Sequence, residues 1–377
     1  VLDEFPLNTP LLSCSLPVAM GEQDATAFFA GLLPEGEYRR ALAEFAGVLP
    51  RDVFGILRRF GQDVAGAVVV ADAMAVRANA DALPYDDVAL SREVAELATR
   101  PLAVYDDSEL SIAGLQNKML LVRQADGAWA RPVHGFPSTH ILKLDDRFQR
   151  GLVHAEGTCL ALAQSIGLEA ASAQIMTFAG LECIVVERFD REISSSGPPI
   201  RLHQEDACQA LGVDLEQLAG RSKYEADGGP GFRSIAALLG KWSNDPQQQL
   251  LRLLDALVFT VAIGNADAHG KNLALLLDES GAVRLAPLYD TVPTALWPNL
   301  RTRAAMSVGG AIDMPDINLD DIVAEARRWR LPDGEIIART RTLLENLIES
   351  CGSMDESAHQ GTIEFVPANA ARLLAAR

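Results

Sequence analysis

The chain has 377 residues, 49% of them apolar and 22% charged, the profile of a globular protein with material for two or three packed units of roughly 150 residues each. That excludes a small stapled scaffold, a disordered chain and a fibrous repeat. The 33 Lys and Arg against 51 Asp and Glu give a net charge of −18, which disfavours direct DNA binding by the surface at large. It leaves room for a nucleotide site, which needs only one Lys, some backbone N–H groups and a divalent metal held by carboxylates.

Residues 1–98 read as an N-terminal accessory or docking subdomain of mixed α/β character. Phe28, Phe29, Leu32 and Leu33 fall at helical spacing, and AGAVVVAD at 65–72 reads as a short β-branched strand. The stretch LPYDDVALSREVAELATRPLAVYDDSE predicts a helix with flanking loops. Residues 99–192 form a strand-rich unit, in which KMLLV, THILKL, ASAQIMTF and LECIVVERF are short strands interrupted by one helix, HAEGTCLALAQSIG. That order predicts a small sheet carrying a single packed helix. After the turn SSSGPPI, residues 193–377 are mostly helical. QEDACQALG, GFRSIAALLGKW, PQQQLLRLLDALVFTVAIGNA, LDDIVAEARRW, 333–351 and 364–376 are the helical patterns, with NLALLLD and VRLAPLYD as an embedded β-hairpin.

Cys14, Cys159, Cys183, Cys208 and Cys351 are odd in number and form no C-x-x-C pair, which argues for a reducing, cytoplasmic setting rather than a disulfide framework or zinc ribbon. No apolar run reaches the ~18 residues of a membrane helix, and VLDEFPLN lacks the regions of a signal peptide.

The chemistry concentrates in IGNADAHGKNLALLL and LAPLYDTV. Asp267 and Asn272 lie five residues apart, and Asp290 follows beyond the hairpin. Phosphoryl transfer from ATP uses such a set, one carboxylate orienting the acceptor hydroxyl and two oxygen-bearing groups holding metal. His269 is expected to be structural. Lys271 is placed either on the transferred phosphate or on a neighbouring carboxylate. Upstream, backbone N–H groups from Ser111 to Gln116 are candidates to cover phosphates. Lys143, ending an apolar strand shortly before a helix with Glu156, matches an ATP-positioning Lys and Glu pair. The segment IVVERFDRE runs where a two-lobed kinase passes the adenine ring, so the main chain of Glu187 and Arg188 matters more there than their side chains, with Phe189 or Val186 against the purine.

The chain resembles the HipA-type Ser/Thr kinases, the toxin component of bacterial toxin–antitoxin pairs linked to growth arrest and persistence. The resemblance rests on SLPVA, FFAGLLPEG, DVAGAVVV, SIAGLQNK, THILKL, CLALA, VERFDR, QEDACQALG, KYEADGGPG, NADAHGKN and PLYD, all in family order. It implies an α+β, two-lobed protein-kinase-like fold with an N-terminal α/β accessory subdomain and a mostly α-helical C-terminal lobe. It further implies Asp267 as catalytic base, Asn272 and Asp290 as Mg²⁺ ligands, and Lys143 on the phosphates of ATP. Ser111, Ala113, Gly114 and Lys118 belong to the phosphate-covering loop, and Glu187 and Phe189 to the main chain that holds adenine. Lys271 is grouped with the nucleotide-binding residues. Ser111 matches the residue that family members autophosphorylate, and the added charge of about −1.5 to −2 beside bound phosphate gives a reason for inactivation.

The partners implied are a protein substrate, with an aminoacyl-tRNA synthetase as family precedent, and a HipB-type antitoxin that supplies DNA contact; no membrane is implied. Two departures stand out. Asn117 replaces a Glu common before the loop Lys, removing a salt link, and the N-terminal β-rich subdomain is shorter than in longer relatives. Either the gene is short, with a separate small protein supplying that piece, or the piece precedes Val1. The alternatives are a catalytically silent co-repressor on the kinase fold and a small-molecule phosphotransferase.

Overall fold

The structure is a computed structural model that describes residues 5–71, 80–99, 117–145, 150–193, 197–215 and 221–375. Its first helices, α1 (Thr26–Gly31), α2 (Gly36–Ala46) and α3 (Val53–Phe60), are delimited by local chemistry. Gly47 ends α2 in the left-handed conformation at φ 69°, and the Asp52 carboxylate caps α3 by accepting the Gly55 N–H at 2.9 Å. Phe28, Leu32, Leu33, Leu42, Ile56, Leu57 and Phe60 form their shared core. The strand expected at 65–72 does not form over residues 65–71. Val68 and Val70 instead pack on the helical cluster, with Val70 N–H on the Gly61 carbonyl at 2.8 Å. β-Branched content supplies propensity, and a strand also needs a partner.

The second unit comprises β1 (Asp81–Pro84), α4 (Asp87–Thr99), β2 (Lys118–Arg123), β3 (Trp129–Val133), β4 (His140–Leu144), α5 (Leu152–Ser165), β5 (Ala173–Phe178) and β6 (Leu181–Glu187). The strands make one antiparallel sheet in the order β1-β3-β2-β4-β6-β5. The four strands and the helix read from the sequence are present; β1 and β3 are additions. The sheet carries two helices rather than one. Leu90, Val94 and Leu97 of α4 cover the face of Met119, Leu121, Leu142, Leu144, Cys183 and Val185, while Val153 and Leu160 of α5 cover Ile184 and Val186. Strand alternation separates the faces, so Lys143 points to the α5 side while Leu142 and Leu144 point away.

Two short strands, β7 (Arg191–Glu192) and β8 (Ile200–Arg201), pair beyond the sheet. β9 (His203–Asp206) and α6 (Ala207–Ala210) occupy the QEDACQALG segment, which is half strand: Asp206 pairs across to Ala274 and also caps α6, with Gln209 completing a capping box. Then follow α7 (Phe232–Trp242), α8 (Pro246–Ile263), the hairpin β10 (Ala274–Leu277) with β11 (Val283–Leu285), a second hairpin β12 (Arg303–Val308) with β13 (Ala311–Asp313), and α9 (Leu319–Arg327), α10 (Asp333–Ser353) and α11 (Gln360–Ala375). The apolar side of α8, from Leu253 to Ile263, is the centre of the main core shared by α7, α9, α10 and α11. Among the described residues no helix is long and apolar enough to cross a membrane.

The N-terminal helices are fastened to the rest by buried charge. Arg188 donates to Asp190 at 2.9 and 2.8 Å and to the Val64 carbonyl at 2.9 Å; Arg191 donates to Asp63 at 2.8 Å and to the Gly66 carbonyl at 3.0 Å. Burial works against the Asp190 charge, but Arg188 and Arg191 outweigh it and hold its pKa far below the usual carboxylate range. The Arg188 and Arg191 side chains of VERFDR therefore carry structure, where the sequence reading ranked the Arg188 side chain below its main chain. Removing one partner strands the others without compensation. Asp63→Ala is expected to lower unfolding stability by about 3–5 kcal/mol, read as a fall in the urea midpoint, with Asp52→Ala at the exposed α3 cap costing only about 1 kcal/mol.

Candidate active site

The site begins on the sheet face under α5. Lys118, Lys143 and Ile184 are directly cross-strand neighbours, so both lysines stand on that face. Lys143 Nζ donates to Glu156 Oε1 at 2.7 Å and to Asp290 Oδ1 at 2.8 Å, the latter 147 positions away. Glu156 is fully buried in the middle of α5. Burial disfavours the ammonium, yet Asp290 and Glu156 together reverse that and hold the Lys143 pKa above its ordinary value. Burial also opposes the Asp290 charge, and Lys143 overcomes it, drawing that pKa down to about 2. Glu156 has a raised pKa because its burial outweighs the same lysine.

The facing side is built at the end of α8. Asp245 caps that helix, Pro246 starts it, and Gly264 ends it at φ 71°. A Cβ on Gly264 would meet the Phe365 ring at 2.8 Å, so conformation and space both select glycine. The chain then tightens: His269 N–H bonds the Asp267 carbonyl at 2.8 Å, Asn272 N–H bonds the His269 carbonyl at 2.8 Å, and Ala266 N–H is held by Thr294 Oγ1 at 2.8 Å. The expected hairpin, β10 with β11, returns Asp290 beside this loop, where Asn272 Nδ2 lies 3.3 Å from Asp290 Oδ2. Asp290 adopts φ 55°, a left-handed conformation uncommon outside glycine and strained by about 1 kcal/mol or more. Lys143 and Asn272 hold it from both carboxylate oxygens.

Asp267 Oδ1 accepts the Tyr224 hydroxyl at 2.9 Å. Burial raises the Asp267 pKa, opposed by Tyr224, Lys223 and Arg301. His269 is a buried ring set edge-on to Tyr224, with centroids 5.4 Å apart. Burial drives its pKa well below the usual imidazole value, so it is neutral, and its Nδ1 has no hydrogen-bond partner among the described residues. Its ring packs on Tyr224.

Lys271 departs from its grouping with the nucleotide-binding residues. Its ammonium is buried against Asp206 Oδ2 at 2.7 Å and the Gly31 carbonyl at 3.0 Å; the neighbouring-carboxylate alternative holds, and α1 is the surface it reaches. Asn117 accepts the Tyr38 hydroxyl at 2.7 Å, a tie to α2. Ser111, Ala113 and Gly114 lie outside the described residues. Glu187 and Phe189 stand where β6 leaves the sheet. Glu187 N–H is engaged by the Ser172 carbonyl at 2.8 Å and Arg188 N–H by that of Thr139 at 2.9 Å. The Phe189 ring lies 5.4 Å from that of Tyr289, beside Ala274, Leu276 and Ala286, giving an apolar wall next to Asp290. Sequence reasoning assigned no role to Tyr224; its signal was a tyrosine within KYEADGGPG.

A strand-borne Lys with a helix-borne Glu on one lobe, facing an Asp, Asn and Asp set on a helical lobe, defines a two-lobed kinase-like fold. Residues 110–353 match the family model described as the HipA-like C-terminal domain, and residues 3–71 match the HipA N-terminal domain. A putative kinase of Sinorhizobium fredii is 37% identical over 353 residues, spanning 91% of this chain and 81% of that protein. The serine/threonine-protein kinase toxin HipA of Shewanella oneidensis is 28% identical over 320 residues, spanning 82% and 72%. The structure of a Shewanella oneidensis HipA with HipB and operator DNA superposes with a TM-score of 0.83 at 25% identity, covering 98% of this chain and 90% of that one. The chain belongs to the HipA-like kinase toxin family.

Lys118 provides a pH test of the site. Burial, then Lys143, lowers its pKa to about 7. Between pH 7 and the unperturbed value near 10.4 the unfolded chain binds a proton there that the folded chain does not, so this group makes stability rise with pH across that window. Lys118→Met is expected to flatten the rise and to raise stability near pH 7, measured by urea unfolding at pH 7 and 9.5.

Proposed function

We propose that this chain transfers the γ-phosphate of ATP to a Ser or Thr hydroxyl of a protein, with Asp267 as catalytic base. The observation that carries the reading is the convergence of Lys143, Glu156, Asp290 and Asn272 through contacts of 2.7 to 3.3 Å, with Asp267 next to them on the same loop as Asn272. In this reading Lys143 aligns the phosphates, Glu156 keeps its ammonium on station, and Lys118 adds positive charge once anionic phosphate raises its pKa. The Phe189 and Tyr289 rings bound the adenine pocket, and the main chain of Glu187 and Phe189 reads the base. By the resemblance, the phosphate-covering role falls to Ser111 to Lys118, with Ser111 the autophosphorylation candidate.

Asn272 and Asp290 fit Mg²⁺, a cation that takes oxygen from one or two carboxylates and completes its shell with phosphate and water. These two residues would hold the ion, and it would neutralise charge on the phosphoryl oxygens. A tightly held base and an ammonium set beforehand accelerate transfer mainly by positioning and electrostatics.

The partner we propose is an antitoxin of HipB type, since the solved relative was found with HipB and operator DNA. The charge of −18 suits a chain that leaves DNA to that partner. A cytoplasmic setting accords with five buried, free cysteines.

Asp267→Asn is expected to keep an ATP- and Mg²⁺-dependent rise in melting temperature while lowering transfer of labelled phosphate to lysate protein by about 10²- to 10⁴-fold. Retained transfer removes Asp267 from the role. A wild-type chain with neither thermal shift nor transfer is the silent co-repressor instead.

A further inference from the structure

Resting on the reading of Asp267 as base, we propose that Tyr224 is a positioning residue for phosphoryl transfer: its hydroxyl fixes Asp267 Oδ1 so that Oδ2 faces the acceptor hydroxyl. The hydrogen bond is 2.9 Å long and spans 43 positions. Oδ2 carries no hydrogen bond among the described residues, which leaves it as the proton acceptor. A base works with its oxygen about 2.6–3.2 Å from the heavy atom whose proton it takes, and a carboxylate held at one oxygen presents the other in a fixed direction. Unheld, the terminal torsion of an aspartate is broad.

The tyrosine is itself held on several sides. The Arg301 guanidinium lies 4.2 Å from its ring centroid, and His269 meets it edge-on. Its backbone is pinned in a narrow loop, with Tyr224 N–H on the Arg221 carbonyl and Gly229 N–H on the Tyr224 carbonyl, each at 2.9 Å. A Cβ at Gly229 would come within 2.4 Å of the Ser222 carbonyl oxygen, so this turn demands glycine. The far end of the same loop grips the catalytic loop again, since a Cβ at Gly270 would meet Pro230 Cγ at 2.6 Å. The two loops are clasped at two points, and the hydroxyl is aimed by both.

The groups facing Asp267 set its titration. Burial raises its pKa; Tyr224, Lys223 and Arg301 lower it; Asp290 raises it; His269 beside it is neutral. Burial, followed by the Asp267 charge, raises the Tyr224 pKa, so the phenol stays a donor throughout the working range. Because the base acts as the anion, activity falls as pH drops through the Asp267 pKa. Loss of the Tyr224 donor raises that pKa and moves the acid limb to higher pH.

The test uses the full chain and γ-labelled Mg-ATP, following loss of the γ-phosphate to the chain's own hydroxyls or to water across pH, with nucleotide affinity measured by a fluorescent ATP analogue. Tyr224→Phe, which keeps the ring, is expected to lower the maximal rate about ten- to hundredfold, to leave nucleotide affinity and melting temperature nearly unchanged, and to shift the acid limb upward. Tyr224→3-fluorotyrosine, a stronger donor, is expected to shift the limb downward. An unchanged rate and limb in both variants overturns the proposal. So does a faster Tyr224→Phe enzyme, which would mean that the phenol occupies the acceptor's place as a plug. Asp267→Asn in parallel separates the failures. If it keeps the wild-type rate, or if wild type leaves the nucleotide intact, the base reading itself falls; if it is inactive while Tyr224→Phe is normal, only the Tyr224 proposal does.

Discussion

One buried ammonium ties the lobes together. Lys143 leaves the sheet between Glu156 on α5 and Asp290 on the helical lobe, and each bond is under 3 Å. Desolvating an ammonium costs several kcal/mol, so this one is stable only while both carboxylates stand beside it. The constraint propagates. α5 must sit with Glu156 inward, Asp290 must hold its left-handed backbone, and β10 and β11 must return the chain to the end of α8. In the kinase reading this is preorganisation, because the charge that meets phosphate is fixed before phosphate arrives.

The N-terminal helices belong to the same arrangement. They reach the strand-rich lobe through Tyr38 on Asn117, the Asp267–Asn272 loop through the Gly31 carbonyl on Lys271, and the helical lobe through Glu35 on Lys223 at 3.0 Å. Glu205 accepts the Cys14 N–H at 2.7 Å and the Ser13 hydroxyl, and burial lifts its pKa to about 7. Such latches are polar and desolvated, so each depends on geometry: a buried charge keeps its place only with its partner in reach. The unit reads as a docking subdomain in sequence, and in the structure it is tied to the Asp267–Asn272 loop through Lys271.

Much of the fold was legible where a local signal was complete. α8 has a capping Asp, a Pro at its first position, an apolar run and a terminal Gly, and the hairpin after it alternates around ESGA. The central strands were equally plain. What escaped were strands whose identity depends on a neighbour. β3 is a five-residue run containing Pro132, β9 looks like the start of a helix until it pairs with β10, and Val68 and Val70 look like parts of a strand but pack on the cluster built by α1 to α3. α4 was read as a helix; which sheet face it covers was not in its periodicity.

At the site, the sequence by itself determined the inventory: a Lys on a strand, a Glu on the next helix, and Asp, Asn and Asp at fixed intervals, legible because spacing along a loop or strand is a local property. Only the tertiary structure decided which charges meet. It gave Lys143 to Glu156 and Asp290, turned Lys271 away to Asp206 and α1, made Arg188 and Arg191 a buried clamp, and brought Tyr224 to Asp267. The physical reason is that a charged side chain has no intrinsic partner. In the unfolded chain water solvates every Lys and Asp alike, and only burial, which removes that water, makes one pairing among many the one that must form.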